Sequence, residues 1–264
     1  MKKVFNGNEA CAYISYAFTE IASLYPITPS TSMAEAVERW AALGKTNIYG
    51  AVPEAITMES ENGSAGLIYG AAKSGALAVT YTCSQGLLLM IPTLYKLAGE
   101  RLPVVIHNTS RTVATNALSI YGDHSDVMAA RQTGVLMLAS GNVQEVAIFA
   151  TLAHKAALAS RLPLLHFFDG FETSHELRDI QVPSYDRLKK VIPETDLAAT
   201  RQQALSNFRP VASGTSQTPE LFFQQRETVE AAYSDLPEKM ESWLQRSEER
   251  RAGKEWRSQW SSHY

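Results

Sequence analysis

Residues 77–108 read LAVTYTCSQGLLLMIPTLYKLAGERLPVVIHN. Two compact β-rich runs, Leu77–Cys83 and Pro103–Asn108, flank a stretch with helical spacing, Leu87–Gly99. A strand, a helix long enough to cross a sheet and a second apolar strand predict a right-handed crossover between parallel neighbours. Working towards the carboxyl end, the scheme repeats: Gly134–Ser140 and Pro163–Phe168 are strand-like, and an alanine-rich helix, Val143–Ser160, joins them. Towards the amino end, the pattern predicts a helix over Asn8–Ser23 with Asn8 as its cap, from the one-faced spacing of Ala10, Tyr13, Ile14, Ala17 and Ile21. An extended stretch follows over Leu24–Pro29, then a helix over Ser30–Leu43 that stops at Gly44. Near-continuous apolar strands alternating with helices specify a doubly wound α/β domain with a mostly parallel sheet.

The rhythm decays after Gly170. Pro183, Pro193, Pro210 and Pro219 punctuate a polar stretch, which predicts an extension over residues 181–245 that wraps a core of residues 7–180. A last helix is expected over Leu236–Leu244. Residues 246–264 carry two of the four tryptophans without other large apolar residues or any period, and they resemble a translated sequencing-adapter read-through. They are expected to be a non-native, disordered tail.

The composition sets outer bounds. Of 264 residues, 45% are hydrophobic and 19% charged, which suits a globular chain with a sizeable core. No apolar run approaches the length of a membrane span, and Lys2 and Lys3 are followed by no export-type apolar segment, so a cytoplasmic location is expected and no membrane partner. A formal charge of −3 offers no footprint for nucleic acid. Cys11 and Cys83 form no C-x-x-C pair and read as reduced thiols, too few to ligate an iron–sulfur cluster.

In an open α/β sheet, ligands gather beyond the carboxyl ends of the strands. Three loops there are rich in polar groups. In Tyr25–Ser32, two prolines fix the backbone among four serine and threonine residues, Thr28, Ser30, Thr31 and Ser32, that can cap a helix or meet an anion. In Met58–Gly66, Glu59 and Glu61 suit the positive end of a helix and read either as surface charges or as functional carboxylates; small residues follow up to Ala76. In His107–Arg111, the arginine offers a planar fork for a carboxylate or phosphate, or simply solvates the surface. His107 and His166 read as core or edge residues, and Asp123, His124 and Asp126 as loop hydrogen bonding rather than a metal site.

The runs YPITPSTSMAE (25–35), TCSQGLLLMIPTLYKLAGE (82–100), SIYGDHSDVMAARQTG (119–134) and HFFDGFETSHE (166–176), with SGTSQTPELFFQQRE (213–227), resemble those of pyruvate:ferredoxin (flavodoxin) oxidoreductases. The resemblance runs in order from Gly7 to about Gln245. It implies the amino-terminal, pyrimidine-type domain of a thiamine diphosphate enzyme that oxidatively decarboxylates pyruvate to acetyl-CoA and CO2. Electrons would pass through [4Fe-4S] clusters to ferredoxin or flavodoxin. Residue by residue, it implies that Thr28 hydrogen-bonds the substrate, that Arg111 pairs with its carboxylate, and that Glu61 is the catalytic, cofactor-binding carboxylate at N1′ of the aminopyrimidine. Glu59, two residues earlier, carries the same charge.

The sequence holds no Gly-Asp-Gly run followed by paired asparagines. The Mg2+-diphosphate half of the cofactor site, the clusters and the handling of coenzyme A are therefore expected from further domains of the same enzyme. The chain alone is expected to be inactive, and the complete enzyme to be a homodimer. A related 2-oxoacid oxidoreductase, or a non-catalytic subunit that kept the fold, is the alternative.

Overall fold

The computed structural model describes residues 1–208, 210 and 212–251, and of residues 246–251 the backbone only. Along the first half of the chain run β1 (Lys2–Phe5), α1 (Gly7–Phe18), β2 (Ile21–Leu24), α2 (Thr31–Ala42), β3 (Glu54–Thr57), α3 (Glu61–Lys73), β4 (Ala78–Thr82), α4 (Ser84–Gly99) and β5 (Val105–Ser110). Then come α5 (Ser125–Ala130), β6 (Leu136–Ser140), α6 (Val143–Ser160), β7 (Leu164–Asp169), β8 (Arg178–Gln181), α7 (Tyr185–Leu188), α8 (Glu194–Gln202), α9 (Pro219–Ser234) and α10 (Leu236–Arg251).

Six strands form one parallel sheet in the order β3-β2-β4-β5-β7-β6. One face packs on α1, α2 and α6 through Ile14, Phe18, Met33, Val37 and Val146; the other packs on α3 and α4 through Ile68, Leu87, Met90 and Leu94. The doubly wound α/β architecture expected from the sequence is thus the one observed. Beside it, β1 pairs antiparallel with β8, Lys2 opposite Gln181. The stretch after β8 lies over the core at several points: the Leu205 N–H donates to the Lys73 carbonyl, Tyr233 Oη donates to the Gly134 carbonyl (2.5 Å), and Leu236, Met240 and Trp243 of α10 pack around α6.

Three local expectations need correction. The first helix is capped by Asn6, not Asn8: Asn6 Oδ1 accepts the Glu9 N–H (2.8 Å) while Glu9 Oε2 accepts the Asn6 N–H (3.0 Å). Asn8 is buried inside α1. The helix stops at Phe18, where Thr19 turns extended and its hydroxyl bonds back to the Ser15 carbonyl, and Ile21–Leu24 is the strand β2. A short buried strand is as apolar as a buried helix, so periodicity alone cannot divide them. Finally, α10 runs beyond Leu244 to Arg251, because Ser-Glu-Glu-Arg-Arg contains no helix breaker before Gly253. The expected tail thus begins within a helix, and its residues 252–264 lie outside those described.

His107 (β5) and His166 (β7) are fully buried core residues. Their Nδ1 atoms lie 2.9 Å apart; His107 Nε2 is 3.4 Å from His154 Nε2 of α6, and His166 Nε2 is 2.8 Å from Ser140 Oγ of β6. Each ring carries one proton and passes one hydrogen bond along the chain, so all three are neutral. Burial pushes His154 and His166 down to about 3, and burial with the neighbouring rings holds His107 well below its ordinary value. Because these bases are depressed in the fold, the unfolded chain binds more protons between pH 6.5 and 3. Stability contributed by their neutral burial is present above that window and falls as pH drops through it. Urea unfolding should show a loss of about 2 kcal/mol per histidine between pH 8 and pH 5. His154→Phe, which keeps the stack on Phe18, should reduce that loss; an unchanged pH slope in this variant would place the proton uptake elsewhere.

Candidate functional site

All six strands of the main sheet point the same way, so the loops that follow them share one edge. The chain leaves β2 towards β3 on one side and returns to β4 on the other. At that divergence the loops after β2 and β4 part towards opposite faces of the sheet, and the crevice between such loops is the usual ligand position in sheets of this kind.

The loop after β2 is held from several directions. Asn8 Nδ2 donates to the Pro29 carbonyl (2.9 Å) and to Ser32 Oγ (2.7 Å), and the Ser30 N–H and hydroxyl both donate to the Ile27 carbonyl. The Thr28–Pro29 peptide is cis. Thr28 itself is exposed, but its carbonyl is not free: Arg111 Nη1 donates to it at 2.5 Å, and so does Cys83 Sγ at 3.1 Å. Gly170, after β7, closes the back of this loop, since a Cβ there would lie 2.7 Å from Pro29 Cγ and 2.6 Å from the Ser110 carbonyl oxygen.

Arg111 follows directly on β5 and is 6% exposed. Its Nη2 reaches Gln85 Oε1 at 3.3 Å, and its Nε–H has no hydrogen-bond partner among the described residues. The two arginine tethers cross the crevice, joining the loops after β2, β4 and β5.

Glu61 opens α3, behind the cap Ser60, whose Oγ accepts the Gly63 N–H at 3.0 Å. It is 8% exposed, whereas Glu59 is exposed, which separates the two carboxylates that the sequence left side by side. Among the described residues nothing hydrogen-bonds or ion-pairs with the Glu61 side chain. The α3 amino terminus lends it a favourable dipole. Gly86 of α4 abuts it so closely that a Cβ would lie 2.8 Å from Glu61 Cγ and 2.5 Å from Thr82 Oγ1.

Cys83 lies between these groups. Burial pushes its thiol up to about 12; the Arg111 charge opposes that rise, while Asp126 and Glu61 add to it. Thr28, Glu61 and Arg111 are therefore gathered around the end of β4, the last two buried and oppositely charged. Such an arrangement can orient an anionic substrate and hold a proton-sharing carboxylate in a poorly hydrated crevice.

The remaining polar loop residues serve structure. Asp123 accepts from the Ser125 N–H and hydroxyl, His124 stands edge-on to Phe167, and His175 pairs with Ser174 Oγ. One contributor was missed from the sequence: Gln85 carries no signal beyond a polar residue at a helix start. Asp126, read from the sequence as loop hydrogen bonding, is fully buried and accepts four hydrogen bonds. One group could offer a metal three ligands, Cys11, His107 and His166, with donor atoms within 4.8 Å of one another; it lies inside the core, with its ring nitrogens already bonded to one another and to His154 and Ser140.

Comparison with known proteins gives consistent results. Residues 14–244 match the family described as "Pyruvate flavodoxin/ferredoxin oxidoreductase, thiamine diP-bdg". The chain is 52% identical over 242 residues to the pyruvate-flavodoxin oxidoreductase of Klebsiella pneumoniae, covering 92% of this chain and 21% of that protein. It is 50% identical over 236 residues to the pyruvate:ferredoxin oxidoreductase of Moorella thermoacetica, covering 89% and 20%. Among solved structures, a 2-oxoglutarate:ferredoxin oxidoreductase from Magnetococcus marinus, with 2-oxoglutarate, coenzyme A and succinyl-CoA bound, superposes with a TM-score of 0.62 at 21% identity, covering 70% of this chain and 32% of that one. The chain spans about a fifth of the length of these curated relatives.

The packing of Gly86 makes a prediction for the isolated chain. Gly86→Ala should destabilise it by about 1–3 kcal/mol in urea unfolding, since neither the Thr82 hydroxyl nor the Glu61 stem can withdraw freely. A neutral effect would show that α3 and α4 can part without cost.

Proposed function

The chain belongs to the pyruvate flavodoxin/ferredoxin oxidoreductase, thiamine diphosphate-binding family, and from that premise we propose that it is the amino-terminal domain of an enzyme converting pyruvate and coenzyme A to acetyl-CoA, CO2 and two electrons. The observation that carries this reading is the buried, partnerless Glu61 carboxylate on the same sheet edge as Arg111. With no partner among the described residues, that carboxylate is free to take a hydrogen bond from a ligand, and an aminopyrimidine nitrogen sharing a proton with it would supply one.

In this proposal Glu61 holds a proton against N1′ of the aminopyrimidine, the Arg111 fork orients the pyruvate carboxylate, and the Thr28 hydroxyl hydrogen-bonds the substrate. Thiamine diphosphate, when bound, supplies a nucleophilic carbon and an electron sink for decarboxylation. The tethers from Arg111 to the Thr28 carbonyl and Gln85 keep the guanidinium at the crevice rather than in solvent.

The Mg2+-diphosphate contacts, the [4Fe-4S] clusters, coenzyme A handling and the docking of ferredoxin or flavodoxin would come from domains beyond this chain. The loop after Arg111 suits such a neighbour, because Leu118, Ile120 and Tyr121 stand exposed there. No helix among the described residues is long and apolar enough to cross a membrane; the complete enzyme is proposed to be a cytoplasmic homodimer. Residues 246–264 are read as no part of the domain.

The test is a chimaera in which this chain replaces the aligned 242-residue region of the Klebsiella pneumoniae relative. It should reduce a viologen dye with pyruvate and coenzyme A, whereas the 264-residue chain alone should not. In the chimaera, Arg111→Ala should lower kcat/KM for pyruvate roughly tenfold to a hundredfold. Glu61→Ala should instead slow substrate-free exchange of the cofactor's C2 proton, a step that Arg111→Ala leaves unchanged. A folded but inert chimaera would refute the enzyme reading; unaltered exchange in Glu61→Ala would shift the N1′ role to Glu59.

A further inference from the structure

Asp126 is a fully buried carboxylate in the first turn of α5. One oxygen, Oδ2, accepts from the Ser84 N–H at 2.8 Å, from Asn108 Nδ2 at 3.0 Å and from the Arg111 N–H at 3.2 Å; Oδ1 accepts from the Val127 N–H at 2.7 Å. A single oxygen thereby ties together the first residue of α4, the strand β5 and the residue that leaves it. Ser84 has φ of 48°, a left-handed conformation unusual for serine that its surroundings must hold in place.

Two of the routes to the Arg111 side chain start from this oxygen; the tether to the Thr28 carbonyl does not. The direct route fixes the Arg111 backbone. The other passes through Ser84, whose single hydroxyl proton lies between Gln85 Oε1 (2.5 Å), the atom that also receives Arg111 Nη2, and the Thr112 carbonyl oxygen (2.9 Å). Two residues along the same turn, Gly86 abuts Glu61.

We infer that Asp126 is a positioning residue for the substrate carboxylate: without touching substrate, it sets the Ser84 turn and the Arg111 backbone so that the guanidinium faces the crevice. A carboxylate suits this place because every group around Oδ1 and Oδ2 is an N–H donor. An asparagine would turn an amide N–H towards the Val127 N–H or towards the three donors at Oδ2. The inference rests on the assignment of Arg111 to the substrate carboxylate, and its tests separate the two.

In the active chimaera, Asp126→Asn should raise KM for pyruvate about fivefold to twentyfold, with kcat and substrate-free C2 exchange within about twofold. Added to Arg111→Ala, it should have little further effect on KM, because residues acting through one another are non-additive. If Arg111→Ala raises KM but Asp126→Asn does not, or if the two effects multiply in full, this inference falls and the substrate reading stands. If Arg111→Ala leaves KM unchanged, the substrate reading falls. Positioning can also be read without activity: in the 264-residue chain, Asp126→Asn should shift the Arg111 Nε–H resonance in the nitrogen-proton NMR spectrum, and an unmoved resonance overturns the inference. Should Asp126→Asn fail to fold, Asn108→Ala removes one of the donors to Oδ2 and should produce the same changes in smaller measure.

Discussion

Parallel pairing of β2 with β4 and of β4 with β5 is the constraint from which the rest of the molecule follows. The register sets Ala22 beside Val79 and Tyr81 beside His107, so the strand ends Leu24, Thr82 and Ser110 come out along one edge. Each side chain assigned to chemistry sits just beyond such an end. A slip of one residue would exchange the side chains that face the two helix layers, breaking both packings, and would carry Arg111 away from Thr28. Burial on both faces makes the register costly to break, and the position of the site is inherited from it.

Much of this frame was legible in the sequence, and the reasons differ by element. The α6 helix was read with its bounds because eighteen residues of alanine-rich spacing between Asn142 and Arg161 allow no competing pattern. The β4, β5 and β7 runs stood out as compact apolar stretches. Short elements were harder: β3 has four residues with exposed ends, and α7 and α8 are short helices in a polar stretch, so neither presents a face long enough to show a period. Asn6 and Asn8 both suit a cap by residue type, but only Asn6 is followed three residues later by a glutamate, Glu9, a capping-box spacing that the one-faced apolar pattern from Ala10 obscured. The tertiary bonds of Asn8 to Pro29 and Ser32, over twenty residues away, decide between them.

The site was legible in a different way. Its loops could be chosen from strand ends and polar content, but the roles of Thr28, Glu61 and Arg111 came from family resemblance alone. The structure adds what neither could supply: Glu61 is buried while Glu59 is exposed, and the Thr28 carbonyl is the anchor for Arg111. Gln85 was out of reach, and Asp126 could be read as a loop hydrogen bonder but not given its partners, because these contacts join loops distant in sequence. The chain also accounts for only about a fifth of its curated relatives, which agrees with a crevice that gathers one side of a ligand environment.

The small ribbon of β1 and β8 bears on how such a chain is made. Residues 2–5 pair only with 178–181, and the Met1 amino group donates to the Val182 carbonyl. Within this chain β1 is thus made long before its partner β8. At usual elongation rates it waits roughly 10–35 s, with Val4 and Phe5 beside unpaired backbone. Lys2 and Lys3 are suited to that interval, since charge on an unpaired edge discourages pairing with a neighbouring nascent chain. The β1–β8 ribbon can therefore pair only after the strands of the main sheet, which lie between its two strands in sequence, have been made.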